Sequence, residues 1–506
     1  MQYIHCSELC ERLRELSHLK STLALLSWDE QVKMPKKGAS LRGETMSYLA
    51  GLLHERFLAI DDDGCLTKAK AQLDAGNLPD REAAIVREVW LEYAREQKLP
   101  TAFVKELTQV TSEAHHIWAE ARETNNFALF LPQLKRMIEL KRQEANYVGY
   151  QESAYDALID TFEPGVKASE IAPIFAELKR FLIAFLKQLQ DAGQPIDRTI
   201  LDGSYPIDTQ IKFNEHIAKQ IGYDFSCGRI DASTHPFTQT LHPEDVRITT
   251  RYNEKDLLYA ILTTTHEVGH ALYEQGLPCE CYGTPLAEAI SLGIHESQSK
   301  LWETEISLGK PFWDHFYPKL QETFPKPFEN IELAEFLKAI NCVTPSLIRT
   351  EADEVTYNLH IILRFEIEQG LIEGTIEPED LPALWNAKMK EYLGIDVPSD
   401  ALGVLQDVHW SSGYFGYFPT YTLGTLYAAQ LYSKMQQDLP NMDAEMASGD
   451  FSSIKTWLGS HVHAHGRYYS AAKLIEHVTG EPLSAQYFVD YIRTKYQSLY
   501  NLKETS

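Results

Sequence analysis

Cysteine is scarce in this 506-residue chain: seven thiols (Cys6, Cys10, Cys65, Cys227, Cys279, Cys281, Cys342), an odd number without a C-x-x-C pair. That excludes a disulfide framework and reads as free thiols in a reducing compartment. Long apolar runs are missing as well. No stretch of about 18 apolar residues could cross a bilayer, and MQYIHCSELCERLREL at the start carries charges where a secretory signal needs an unbroken apolar core. The expectation is a cytoplasmic protein with no membrane partner. Basic residues are outnumbered, 47 against 72 acidic, for a formal net charge of −25. Such a field repels phosphate backbones and anionic lipid, so no nucleic-acid partner is expected. Clear period-2 alternation is rare, and repeats of 20 to 50 residues and low-complexity tracts are absent, which argues against a sheet-rich or solenoid architecture.

What remains is a globular composition, 44% hydrophobic and 24% charged, on a chain long enough for a large core. Apolar residues recur at helical spacing, as in Leu134, Met137, Ile138, Leu140 and in Ile171, Phe175, Leu178, Phe181, Leu182, Phe185, Leu186. Short strands are expected at Asp245 to Arg251 and at Cys281 to Thr284. Loops are expected at 34–38, 61–64, 191–203 and 235–243, where Pro, Gly and Asp cluster. None resembles an interdomain linker. The pattern predicts one mainly α body over 1–506, with an N-terminal helical subregion to about residue 170 packed on a catalytic subregion from about 171.

One segment carries chemistry. The run from Asp256 to Gln275 has a helical stripe (Leu258, Ile261, Leu262, Thr265, Val268, Leu272) and a stop at Gly276. Within it stands His266-Glu-Val-Gly-His270. Residues four apart are neighbours on a helix, so both imidazoles can reach one metal ion. Glu267 lies about 100° around the helix from His266, turned from the metal but close enough to act as a base on its water. Zinc lowers the pKa of such a water to about 7, which points to hydrolysis, with Glu267 accepting a proton and then returning it to the leaving amine. Two histidines on an ordinary amphipathic helix are the bland alternative.

A catalytic zinc keeps three protein ligands, so a third donor is needed. Thr284-Pro285 reads as an N-cap followed by proline at the first helical position, opening a second helix that ends before Gly309. Glu296 on that helix is the expected third ligand. His295 beside it is a weaker alternative and Glu288 stands too early. Cys279-Glu-Cys281 could supply soft ligands, but one intervening residue and the preceding Pro278 disfavour them.

The same motif belongs to an ordered set: His235-Pro-Phe237, Asp245-Val-Arg-Ile-Thr249, His266 to His270, His295-Glu-Ser-Gln298, Ile348-Arg-Thr-Glu-Ala-Asp353 and Gly403-Val-Leu-Gln-Asp-Val-His-Trp410. Together with Ser27-Trp-Asp-Glu30, Met34-Pro35 and Tyr414 to Gly424, these resemble the carboxypeptidase Taq family of zinc metallopeptidases over nearly the whole chain. The resemblance implies a large helical metallopeptidase with a deep active-site groove and a few short strands. It also implies a saddle-like homodimer, zinc with cobalt as a possible substitute, and removal of single residues from free peptide C-termini with broad specificity. Three arginines compete to clamp the terminal carboxylate: Arg247, Arg251 and Arg349. The family motif points to Arg349, whose structural alternative is an ion pair with Glu351 or Asp353. Asp353 or Glu354 is a candidate to orient a ligand histidine. Donors for the developing oxyanion are sought in His409, then Tyr421, with Tyr414 and Tyr417 behind. His235 and Arg247 are expected to shape the closed end of the groove, or else to belong to a loop and edge strand that buttress the metal helix.

Overall fold

The computed structural model describes residues 4–192 and 196–502, with the side chains of residues 4–6 outside that description. Cys6 falls there, as do residues 193–195 of the loop expected at 191–203; the other six cysteines are free thiols. The fold is mainly α, with three short strands among the described residues. None of the described helices is long and apolar enough to cross a membrane.

Two compact units emerge, each assembled from three chain segments. The boundary expected near residue 170 is not one of their limits: it falls in the first turn of helix Ala168–Asp191, inside the second unit.

The first unit takes Met1–Glu96, Asp197–Ile340 and Gln430–Pro482. Helix Ile4–Val32 turns at Met34-Pro35 into helix Ala39–Leu58. Pro35 has a fixed φ and cannot donate to a continuing helix, so the chain reverses there. Leu9, Leu13, Leu16, Ile60, Leu66, Ile85, Val86 and Val89 form one buried cluster, whose dehydration drives the packing of these helices.

The same unit holds the sheet: β1 (Gly228–Ala232), β2 (Thr238–His242) and β3 (Asp245–Thr250), in the order β1-β3-β2. β3 matches the expected strand, but it is the central strand rather than an edge. β1 has no counterpart among the expected strands, and β2 lies where a loop was expected, because five-residue strands that are half buried on mixed surfaces show little alternation. The strand expected at Cys281 is instead a 3-10 turn, Cys279–Cys281, opened by Pro278. Across the sheet Arg229 pairs with Arg247, and Arg247 with Gln239. On that face both guanidinium groups lie over the Trp28 ring of the first helix, at 5.2 and 4.5 Å. Strand residues alternate in face, so Ile248 and Thr238, neighbours in register, point the other way, where the helix Leu257–Gln275 packs.

The second unit takes Gln97–Ile196, Asn341–Ala429 and Leu483–Ser506. Its central element, helix Tyr357–Glu373, is buried around most of its circumference, the signature of a helix enclosed by its neighbours. Helices Phe127–Val148 and Ala168–Asp191 present the stripes anticipated from sequence, and all their named residues except Phe181 are buried.

Candidate metal centre

The histidine helix, Leu257–Gln275, begins where Asp256 accepts the N–H of Tyr259 (3.0 Å) and stops at Gly276. An Asp at that position satisfies one of the orphan N–H groups of the first turn. The following segment departs from the single helix expected from sequence. Pro285–Ala287 makes one 3-10 turn, the chain extends through Glu288, and Ser291 caps the helix Leu292–Lys300 by accepting the N–H of Ile294 (3.1 Å). That helix widens into a π-helical turn, Leu301–Ile306.

Gly269, inside the motif, explains how the two helices meet. A Cβ there would lie 2.5 Å from the Gln298 carbonyl oxygen and 2.7 Å from Ser299 Cα. Only a residue without a side chain lets the second backbone approach this closely, and that approach delivers Glu296 to the histidines.

The donor atoms converge. Glu296 Oε2 is 3.7 Å from His266 Nε2 and 3.5 Å from His270 Nε2, and ligand atoms of all three lie within 4.8 Å of one another. Two donors on one tetrahedral ion at ordinary zinc distances stand about 3.4 Å apart, so the set fits a single metal. The opposite ring nitrogens are already committed. His266 Nδ1 meets Glu303 Oε2 at 2.7 Å and His270 Nδ1 meets the His295 carbonyl at 3.0 Å. Both rings therefore turn Nε2 toward the same point, the orientation a metal requires. Ser299 Oγ donates to Glu296 Oε2 at 3.0 Å and fixes that carboxylate.

Glu267 is buried beside this cluster, and Thr238 Oγ1 donates to its Oε2 at 2.7 Å. Burial pushes its carboxyl above the ordinary glutamate range, the direction a proton-accepting and proton-returning group needs. Burial works against the charge of Glu303, yet Lys300 and His266 hold its pKa down to about 2.

The other residues weighed from sequence have partners of their own. His295 Nε2 bonds Glu274 Oε1 at 2.8 Å and its ring stacks on His270, so it supports a ligand rather than replacing Glu296. Glu288 pairs with Lys20 and Arg467. Neither Asp353 nor Glu354 orients a ligand histidine. Asp353 accepts the N–H groups of Val355, Thr356 and Thr344, and Glu354 accepts from Tyr491, Lys495 and Tyr496. That task falls to Glu303, which sequence reasoning missed along with Thr238. Glu303 stands seven residues after Glu296, a same-face helical spacing that was the available signal; Thr238 gave none.

Cys279 and Cys281 do not converge on one point. Cys281 Sγ sits 2.8 Å from Arg81 Nη2, whereas Cys279 groups with His242 and Glu244 at the surface. Of the expected groove residues, Arg247 grips Asp245 through Nε and Nη2 (2.8 Å each) and stacks on Trp28. His235 is exposed in the loop before β2, where its carbonyl accepts from Ser233 Oγ. Arg251 lies over the Tyr259 ring. The buttress reading fits Arg247, on a central strand.

In the second unit Arg349, His409 and Tyr421 come together. Arg349 Nε donates to Asp407 Oδ1 (3.0 Å) and Nη1 to Tyr357 (3.3 Å), with the guanidinium over the Tyr421 ring. The partner is thus Asp407, not Glu351 or Asp353. Arg364, fully buried, donates through Nε to Asp407 Oδ2 (2.7 Å). Two guanidinium groups share one carboxylate, which leaves one positive charge over. His409 Nε2 is 3.3 Å from the Tyr421 hydroxyl. Burial, against the pull of Asp407, lowers the His409 pKa to about 3, so the ring is neutral at pH 7. Tyr414 is exposed, and Tyr417 lies against His409.

Comparison with known proteins places these features in context. A family model described as carboxypeptidase Taq (M32) metallopeptidase matches residues 8–496. Carboxypeptidase 1 of Bacillus subtilis (strain 168) is 42% identical, covering 98% of this chain and 98% of its own. Thermostable carboxypeptidase 1 of Thermus thermophilus is also 42% identical, over 97% of this chain and 98% of that protein. The crystal structure of an M32 carboxypeptidase from Deinococcus radiodurans R1 superposes with a TM-score of 0.95 at 36% identity, covering 99% of this chain and 100% of that one.

Proposed function

The chain belongs to the carboxypeptidase Taq (M32) metallopeptidase family and is a peptide hydrolase of the carboxypeptidase class; from that premise we propose that it is a zinc enzyme releasing single residues from free C-termini with broad specificity. The observation that carries this reading is the convergence of His266 Nε2, His270 Nε2 and Glu296 Oε2 beside a buried Glu267.

These three residues hold the metal. When bound, zinc polarises the scissile carbonyl and acidifies water; cobalt is an acceptable substitute, since such donor sets do not discriminate strongly. Glu267 accepts the proton of the attacking water and returns it to the departing amine. Thr238 keeps one Glu267 oxygen engaged and so directs the other. Arg349 binds the terminal carboxylate, because its cluster carries one unbalanced positive charge and a guanidinium matches a carboxylate with two parallel hydrogen bonds. His409, as a neutral donor, and Tyr421 support the developing oxyanion. His235, exposed in the loop before β2, borders the groove and limits substrate length, whereas Arg247, held by Asp245 and Trp28, buttresses the sheet. The family resemblance supports a single metallocarboxypeptidase domain that works as a cytoplasmic homodimer on peptides, and sedimentation of the purified protein tests the dimer.

The test of the reaction is a peptide ladder with matched C-terminal amides, incubated with the zinc-loaded protein and followed by mass. One-residue losses from free acids alone are expected. Internal cleavage, or equal attack on amides, sinks the reading in favour of an endopeptidase.

A further inference from the structure

A cavity of about 240 Å³ opens at the start of the histidine helix, inside the first unit, and none of its lining residues has a part in the reaction described above. Its floor is apolar. Ile261 comes from the second turn of helix Leu257–Gln275, Leu320 from helix Lys310–Thr323, Phe328 from the turn Pro325–Phe328 and Phe336 from helix Leu333–Ile340, all of them buried. Half-buried Leu201 and Leu258 complete the apolar lining. Sites for drug-sized ligands start at about 300 Å³, so this one is scaled for a smaller molecule.

Two chain segments bring charge to this cavity, and each supplies both signs. Arg198 and Asp202 flank the 3-10 turn Thr199–Leu201, while Lys255 and Asp256 stand immediately before the histidine helix. All four side chains are exposed. They do not neutralise one another: among the described residues the side chains of Arg198, Asp202 and Lys255 make no hydrogen bond or ion pair, and Asp256 uses Oδ1 for the Tyr259 N–H. The two carboxylates meet at one place. The Tyr205 hydroxyl, which donates to the Leu201 carbonyl (2.6 Å), has its pKa pushed up to about 12 by burial and then by the charges of Asp202 and Asp256. Both acids therefore lie near that hydroxyl on the cavity wall, and the two cations of the same lining are left without partners.

We propose that this cavity binds a free amino acid with an apolar side chain, its ammonium at Asp202 and Asp256 and its carboxylate at Arg198 and Lys255. Burial of the side chain against the apolar floor supplies the driving force, and charge-assisted hydrogen bonds at the mouth orient the ligand. A neutral apolar molecule would leave all four charges unanswered, and a simple amine or acid would answer one sign alone. The zwitterion answers both. Free amino acids are also the product class of the proposed reaction, which makes the cavity a second place for product, on the helix that carries His266. That identity of ligand and product rests on the carboxypeptidase reading above; the binding itself does not.

The experiment is calorimetric titration of L-leucine into the full-length, zinc-loaded Arg349→Ala protein, in which the proposed carboxylate clamp of the reaction is gone. Saturable binding is expected, with leucinamide, which lacks the carboxylate, and N-acetylleucine, which lacks the ammonium, each about tenfold weaker. Adding Arg198→Ala and Lys255→Ala should weaken leucine about tenfold and leave leucinamide unchanged, whereas Asp202→Asn should weaken leucine and leucinamide but not N-acetylleucine. These positions are exposed, so the substitutions spare the core. Leu201→Trp fills the cavity and should abolish leucine binding. Absence of saturable binding, equal affinity for leucine and leucinamide, or an affinity that ignores the charge substitutions overturns the proposal; the last result would place the amino acid at the metal instead. The peptide ladder judges the carboxypeptidase reading separately, and its failure would leave the leucine titration standing.

Discussion

The two charged centres of this protein are built with opposite signs. In the first unit, Glu267, Glu296 and Glu303 crowd two histidines, with Lys300 as the cation on Glu303. In the second, Arg349 and Arg364 share the single carboxylate of Asp407 beside a neutral His409. Buried charge is costly unless compensated. A cluster rich in carboxylates is completed by a cation, and one with a spare guanidinium by an anion. The contrast teaches that the buried charge of each unit calls for a ligand of opposite sign: a cation in the first, an anion in the second.

The sharpest way to break this contrast is to remove the proton carrier while leaving the metal donors untouched. Glu267→Gln is expected to lower kcat by about a hundredfold to ten-thousandfold, with zinc content by elemental analysis unchanged. Activity within tenfold of the parent would show that Glu267 does not move the proton. Next in size is the support of the cation site. Glu303→Gln frees His266 Nδ1 from its carboxylate and should weaken zinc binding about tenfold to a hundredfold in a chelator competition. If affinity does not move, the His266–Glu303 contact has no part in holding the ligand.

The anion site is probed by Arg349→Lys, which keeps the charge but not the planar fork. An increase in KM of about tenfold for free-acid peptides is expected, and a KM unchanged from the parent would detach Arg349 from the carboxylate. The smallest effect separates stability from chemistry. Glu368, fully buried, accepts from Tyr155, Trp410 and the Gly416 N–H, and burial, only partly offset by these bonds, raises its pKa to about 7. A raised folded-state pKa gives stability that is complete below the unfolded value near 4.5 and is lost as pH climbs through 7. Relative to the parent, Glu368→Gln should thus gain on the order of 1 kcal/mol in denaturant unfolding between pH 5 and pH 8. A pH-independent difference would contradict the shift.

The legibility of the two centres from sequence differs for the same physical reason. His266, His270 and the limits of their helix follow from local rules: a four-residue spacing, an Asp cap and a Gly stop. Glu296 was within reach because the helix that carries it comes next in the chain. The form of that next segment was not, since Thr284-Pro285 opens only one 3-10 turn and the true cap is Ser291. In the second unit the motifs named Arg349 and His409, but their neighbours in sequence misled. Arg349 finds its carboxylate 58 residues away, at Asp407.

By itself, the sequence determined the helical class, the two histidines with their neighbouring glutamate and the choice of Glu296, because helical periodicity converts spacing along the chain into position on one face. Tertiary structure alone decided that Glu303 rather than Asp353 or Glu354 orients a ligand, that Thr238 engages the base, and that β3 lies inside its sheet with β2 at an edge. Those outcomes depend on close approaches such as that of Gly269 to Gln298 and Ser299. They arise from the packing of whole elements, which no local spacing encodes.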